Sequence, residues 1–165
     1  MSGRVFKIGF FAVFAVSSVA AFIWARGVTQ GVRVTAERTD VQIRTLAWAA
    51  LAYADANEGH FPRSAEALKS VGTAVTSLRI HPAGADRMWP TSRDEALKGA
   101  DPADIDASMR SIVIAWGPDD TIPPYLKPDG LPTMVGTNDE VNGWLDAFRT
   151  RGRADGPDED GAAGR

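Results

Sequence analysis

The sequence predicts an α+β protein: a long N-terminal helix, transmembrane in its first half, packed on a small head with a few short antiparallel strands and short helices. Three observations lead there. Ile8 to Ala25 (IGFFAVFAVSSVAAFIWA) is a run of 18 residues without a charge, preceded by Arg4 and Lys7 and closed by Arg26. At about 1.5 Å per residue, a helix of that length covers roughly 27 Å, close to the bilayer core. Ile43, Leu46, Ala47, Ala50, Leu51 and Ala54 then recur at helical spacing as a single apolar stripe. Past Asn57 the chain turns to prolines, glycines and short apolar runs, the pattern of a small mixed domain.

If anchor and stripe are one helix, it runs from Ile8 to Asn57, with Gly27 and Gly31 its weak points. Each costs about 1 kcal/mol against alanine, enough to bend a helix but not to end it. Glu37, Arg38, Asp40, Gln42, Arg44 and Asp55 fall largely off the stripe. Asn57-Glu58-Gly59 supplies the stop, with Pro62 close behind. Ser64 caps a short helix containing Ala67 and Leu68. Ala74 to Ile80 reads as a short strand stopped by His81-Pro82. Ser92, with Glu95 at the capping-box spacing, begins a second short helix, and Asp101-Pro102 begins a third. Ser111 to Trp116 (SIVIAW) is the best strand, stopped by Gly117-Pro118, and the stretch from there to Pro132 reads as loop. Thr137 opens a last helix with Val141, Trp144, Leu145 and Phe148 on one face. The expected division is 1–9 as leader or cytoplasmic N-terminus, 10–57 as anchor and long helix, 58–150 as head, and 151–165 as a disordered tail without a large apolar residue.

Composition excludes several classes of function. With 18 basic and 21 acidic residues intermixed, there is no basic face of the kind nucleic acid selects. Cysteine is absent, so disulfides and thiolate metal sites are too. His60 and His81 have no partner at ligand spacing, and neither a G-x-S-x-G elbow nor a Gly-rich phosphate loop is present. No enzymatic activity, small-molecule substrate or nucleic-acid partner is expected. Trp24 sits at the membrane boundary, while Trp48, Trp89, Trp116 and Trp144 suit the core of a small domain.

Two segments leave alternatives open. The apolar run reads as a cleaved secretory signal ending at Val19-Ala20-Ala21, as a permanent single-pass anchor, or as a prepilin-like leader cut at Gly9-Phe10 with the helix retained. The segment Tyr125 to Trp144 (YLKPDGLPTMVGTNDEVNGW) gathers oxygen donors on turns at Asp129-Gly130 and Gly136 to Glu140, the donor type a hard cation such as calcium takes. Thr137-x-x-Glu140 is equally a capping box, which needs no metal.

The order of these features resembles the type IV pilin-like proteins, and most closely the major pseudopilins of type II secretion. Lys7, Gly9 and Phe10 before an apolar run look like a prepilin junction. Leu51, Tyr53, Gly59, Phe61, Pro62 and Leu68 look like the family stretch that ends the long helix, and Leu126 to Trp144 aligns without a gap to its C-terminal loop. The resemblance implies a structural subunit of a membrane-rooted filament, single-pass in the bacterial inner membrane, with its head on the periplasmic side. It implies other pseudopilin subunits as partners through the N-terminal helix, and a prepilin peptidase acting at Gly9-Phe10. It also implies Ca2+ in the last loop, held by side-chain oxygens of Asp129, Thr137 and Glu140 and backbone carbonyls of Leu126 and Val135. Thr137 and Glu140 stand where the family has aspartate, and Lys127 replaces a glycine. Phe14 stands where the family has the glutamate that meets a neighbour's N-terminal amine. A tethered binding module that does not polymerise, and a secreted small domain freed of a signal peptide, are the alternative readings.

Overall fold

The computed structural model describes residues 2–71, 73–80 and 88–152, with side chains described over 17–19, 21–71, 73–80 and 88–150. The first element, α1, is one unbroken helix of 55 residues, Ser2–Ala56. At about 1.5 Å per residue it is roughly 80 Å long. No proline interrupts it, and Gly27 and Gly31 are carried through. It ends as the sequence suggested. Glu58 and Gly59 take left-handed φ values of 55° and 87°, and the Gly59 N–H returns to the Ala54 carbonyl at 2.8 Å.

Residues 42–52 of α1 are buried on every face. Ile43, Leu46, Ala47, Ala50 and Leu51 lie inside as the stripe predicts, but Trp48, Ala49 and Ala52 on the other sides are buried too. A helix apolar nearly all round belongs in the middle of a core, and here the head wraps it. Arg44, Asp55 and Gln42, placed off the stripe by spacing, are therefore also buried. Around α1 lie α2 (Ala65–Val71), α3 (Arg93–Ala96), α4 (Ile105–Ser111), β1 (Ile112–Ala115), β2 (Tyr125–Pro128) and α5 (Thr137–Gly152). Phe148 of α5 meets Phe61 and Trp89 edge to face, at 6.1 and 5.4 Å between ring centres, closing the core on one side.

The short helices carry the caps that their sequences offer. Ser64 Oγ accepts from the Ala67 N–H and Ser92 Oγ from the Glu95 N–H. Helix α4 starts later than Asp101-Pro102 suggests, because Asp104 is its cap and takes the Ala107 N–H at 2.7 Å. The predicted strand Ala74 to Ile80 is reduced to a single bridge, Ser77 to Ser92. Its backbone is engaged by side chains of α1 instead. Asp55 accepts from the N–H groups of Arg79 and Ile80, and Trp48 Nε1 donates to the Val75 carbonyl. Strand β1 falls where SIVIAW predicts a strand. It pairs antiparallel with β2, which arises in a stretch that reads as loop, with Ile114 opposite Leu126. At Gly117, between the two strands, a Cβ would strike the Ile122 carbonyl, so the turn requires glycine.

Among the described residues, no helix is long and apolar enough to cross a membrane. The first half of the uncharged run, with the Gly9-Phe10 junction and Phe14, has no described side chains. His81-Pro82 and the tail beyond Gly152 lie outside the described residues.

Candidate functional site

The loop 126–140 meets α1 through one cation. Arg44 has its side chain 1% exposed and sends Nε to Asp40 Oδ2, one helical turn back, at 2.9 Å. Its two terminal nitrogens fork onto the two carboxylate oxygens of Glu140, and Nη1 also reaches the Ala96 carbonyl at 3.3 Å. The guanidinium lies 5.3 Å from the centre of the Trp144 ring. Lys98 approaches the same Glu140 carboxylate at 3.5 Å, and the Thr137 hydroxyl donates to Asp40 Oδ1. A planar fork with five donors satisfies such a set where a lysine ammonium would not. Hydrogen bonding from Arg44 holds the Glu140 carboxyl below its ordinary value. Desolvation opposes that shift, and the charges of Arg44 and Lys98 add to it.

Three of the five residues expected to bind calcium are engaged elsewhere. Glu140 is committed to Arg44, and the Thr137 hydroxyl donates a hydrogen bond to Asp40. The Leu126 carbonyl accepts from Asn142 Nδ2 at 2.9 Å. The exposed Asp129 carboxylate and the Val135 carbonyl have no hydrogen-bond partner among the described residues. Asn138 Oδ1 is buried without a hydrogen-bond partner, while its Nδ2 donates to the Tyr125 hydroxyl at 3.3 Å. Among the described residues no three carboxylates or imidazoles converge. The set as placed does not fit the ion. Nor is Thr137 a capping residue, since the Glu140 N–H bonds to the Gly136 carbonyl.

Two further features stand out. From Ser17 to Val34 the side chains of α1, where described, are exposed, with Phe22, Ile23 and Trp24 at 63, 65 and 73%. On the sheet, the Asn142 carboxamide takes both the N–H and the C=O of Leu126 at 2.9 Å. Sequence reasoning missed Arg44, Asp40 and Asn142 as organising residues. The available signal was the i, i+4 spacing of Asp40 and Arg44 inside a strongly apolar segment. An open cleft of about 510 Å³ at the end of α1 holds His60, whose Nδ1 is 3.5 Å from Asp120. His81, the other histidine, lies outside the described residues. Comparison with family models, with curated proteins and with solved structures gave no match.

Proposed function

We propose that this chain is a pseudopilin-like, single-pass membrane protein, a structural subunit of a type II secretion or type IV pilus-like filament. In this reading its N-terminal helix is rooted in the bacterial inner membrane and its head lies on the periplasmic side. The observation that carries the reading is the division of α1. The helix leaves the head without a break and continues with large apolar side chains that nothing in the head covers. Each such side chain gains about 1.5–3 kcal/mol when fully buried, so lipid or neighbouring helices are the natural surroundings. In the sequence, the stretch from Ile8 to Ala25 carries no charge. Among the described residues of the head no three carboxylates or imidazoles converge, and calcium has no part in the proposal.

Processing tests it. The mature protein should begin at Phe10, stay in the membrane pellet through alkaline extraction, and lengthen by the leader when Gly9 is replaced by valine. A second reading, a tethered module that does not polymerise, is favoured by Phe14 at the expected glutamate position. A mature N-terminus at Met1 or Ser2 selects that reading, and one at Phe22 selects a secreted domain.

A further inference from the structure

The two edges of the small sheet are unlike. On β2, Asn142 binds both backbone groups of Leu126 and occupies the place of a further strand. Because those groups turn outward, Leu126 and Ile114 form the pair that exchanges no bonds, and alternation turns the Ile114 N–H and C=O away from β2 as well. The Ile112 carbonyl lies on the same side, as does the N–H of Trp116, next in line. The Ile112 N–H is spent on the Ser108 carbonyl. None of these four edge groups finds a hydrogen-bond partner among the described residues. Beside them runs a groove of about 270 Å³ whose lining includes Met109, Ile112, Ile114 and Trp116, with Arg110 and Asp129 both in its wall.

The loop 131–135 carries the matching pattern. Leu131, Met134 and Val135 are exposed. Pro132 has no N–H, and the Met134 carbonyl accepts from the Thr137 N–H. The backbone groups of Leu131, Thr133 and Val135 have no partner among the described residues. A strand added here needs only the groups of these alternate residues, although the Met134 N–H and the Pro132 carbonyl have no partner among the described residues either.

We propose that residues 131–135 of a second copy add to β1 as an antiparallel strand, with Thr133 opposite Ile114. In that register Thr133 and Ile114 exchange their N–H···O bonds, Trp116 N–H donates to the Leu131 carbonyl, and Val135 N–H donates to that of Ile112. Leu131 and Val135 enter the groove beside Trp116 and Ile112, and Met134 covers Val113 on the other face. Pro132 points its missing N–H away from β1, where no donor is needed. A slip by one residue would set it against the edge. Beyond Ile112, the incoming chain runs on to Asp139 near Arg110, two opposite charges without ion pairs among the described residues. An edge meeting a loop is a heterologous contact, and its repetition builds an open chain of subunits. This contact rests on the filament-subunit reading and names how its heads meet.

The chain has no cysteine of its own, so paired cysteines test the contact in the full-length protein in its membrane. Val113→Cys and Met134→Cys would stand at a pair that exchanges no bonds, with Cα atoms about 4.5 Å apart, within disulfide range. Co-expressed and mildly oxidised, the two single variants should form a mixed covalent dimer, and the double variant a ladder of higher species. Thr133→Pro should abolish both. Trp24→Cys reports separately on contacts between helices. Cross-linking at Trp24→Cys with none between positions 113 and 134 overturns this contact and leaves the filament reading standing. No cross-link at either overturns both. A Val113→Cys homodimer without the mixed species, or cross-linking that survives Thr133→Pro, also overturns the proposed strand.

Discussion

The two halves of α1 share one backbone and a similar apolar content, yet their fates are opposite. In residues 17–34 Trp24 stands 73% exposed, whereas in residues 36–56 Trp48 is fully buried. The lower half is rich in alanine, with Ala47, Ala49, Ala50, Ala52 and Ala54, so that helices and a strand close on it from all sides. Its polar side chains are met from outside the helix. Arg44 is met by Glu140, Asp55 by Arg79, and the Thr45 hydroxyl by the Ala103 N–H. In the upper half they turn back on the helix itself, Thr29 to the Ala25 carbonyl and Arg33 to Glu37. Burial here follows from whether the rest of the chain brings partners, not from hydrophobicity alone.

The largest expected effect comes from a charge in the lower half. Leu46→Asp should unfold the head, because an unpaired buried carboxylate costs several kcal/mol. Ile23→Asp, in the upper half, should leave the melting of the head unchanged in the full chain and reduce its membrane retention. Equal melting of the parent and the Leu46→Asp form of 27–150 would break the contrast. Next comes Arg44→Met, which leaves Asp40 and Glu140 without its guanidinium. Arg44 is buried, but the Glu140 side chain is 40% exposed and keeps Lys98, so the loss is that of charge-assisted hydrogen bonds, about 1.5–3 kcal/mol, or a fall in Tm of roughly 10 °C for a head this size. Arg33→Met, removing the exposed pair with Glu37, should leave the Tm in place.

A smaller effect appears in acid. The folded pKa of Glu140 lies below its ordinary value of 4.5, so its contribution is complete above that value and is lost as pH falls through the folded pKa. Glu140→Gln should therefore be less stable than the parent at neutral pH and close part of that gap below about pH 4, measured by denaturant titration at each pH. The smallest expected effect is none. Calcium and a chelator should give superimposable melting curves for the parent, because Arg44 holds the carboxylate that an ion would need. A calcium-dependent rise in Tm would return the 126–140 loop to the metal reading.

Local signals carried the elements that stand on local chemistry. The long helix, its Asn57-Glu58-Gly59 end, the caps at Ser64 and Ser92, strand β1 and helix α5 were all legible. Strand β2 was not, because Leu126 is the one apolar residue it turns inward, between prolines and a lysine. The strand expected at 74–80 failed for the opposite reason, since Asp55 and Trp48 reach it from far along the chain. The candidate site was legible in its residue types and misread in its purpose. Thr137 and Glu140 look like a cap or ligands until Asp40 and Arg44, about a hundred positions earlier, are placed beside them. No spacing rule reports a partner at that separation.

The carboxamide of Asn142 has one more consequence, for how the protein ages. Asparagine followed by glycine, as in Asn142-Gly143, is the pair most prone to lose ammonia through attack of the next backbone nitrogen on the side chain. In α5 that nitrogen is held in the helix, and the amide is fixed by Leu126 and by the Asn138 carbonyl. Folding therefore protects the very bond on which the β2 edge depends. Each excursion that melts α5 exposes it, and the aspartate formed can no longer donate to the Leu126 carbonyl. Time spent unfolded is thereby written into the covalent structure, and a head that has lost this amide refolds with the Leu126 carbonyl unpartnered while its N–H keeps an acceptor.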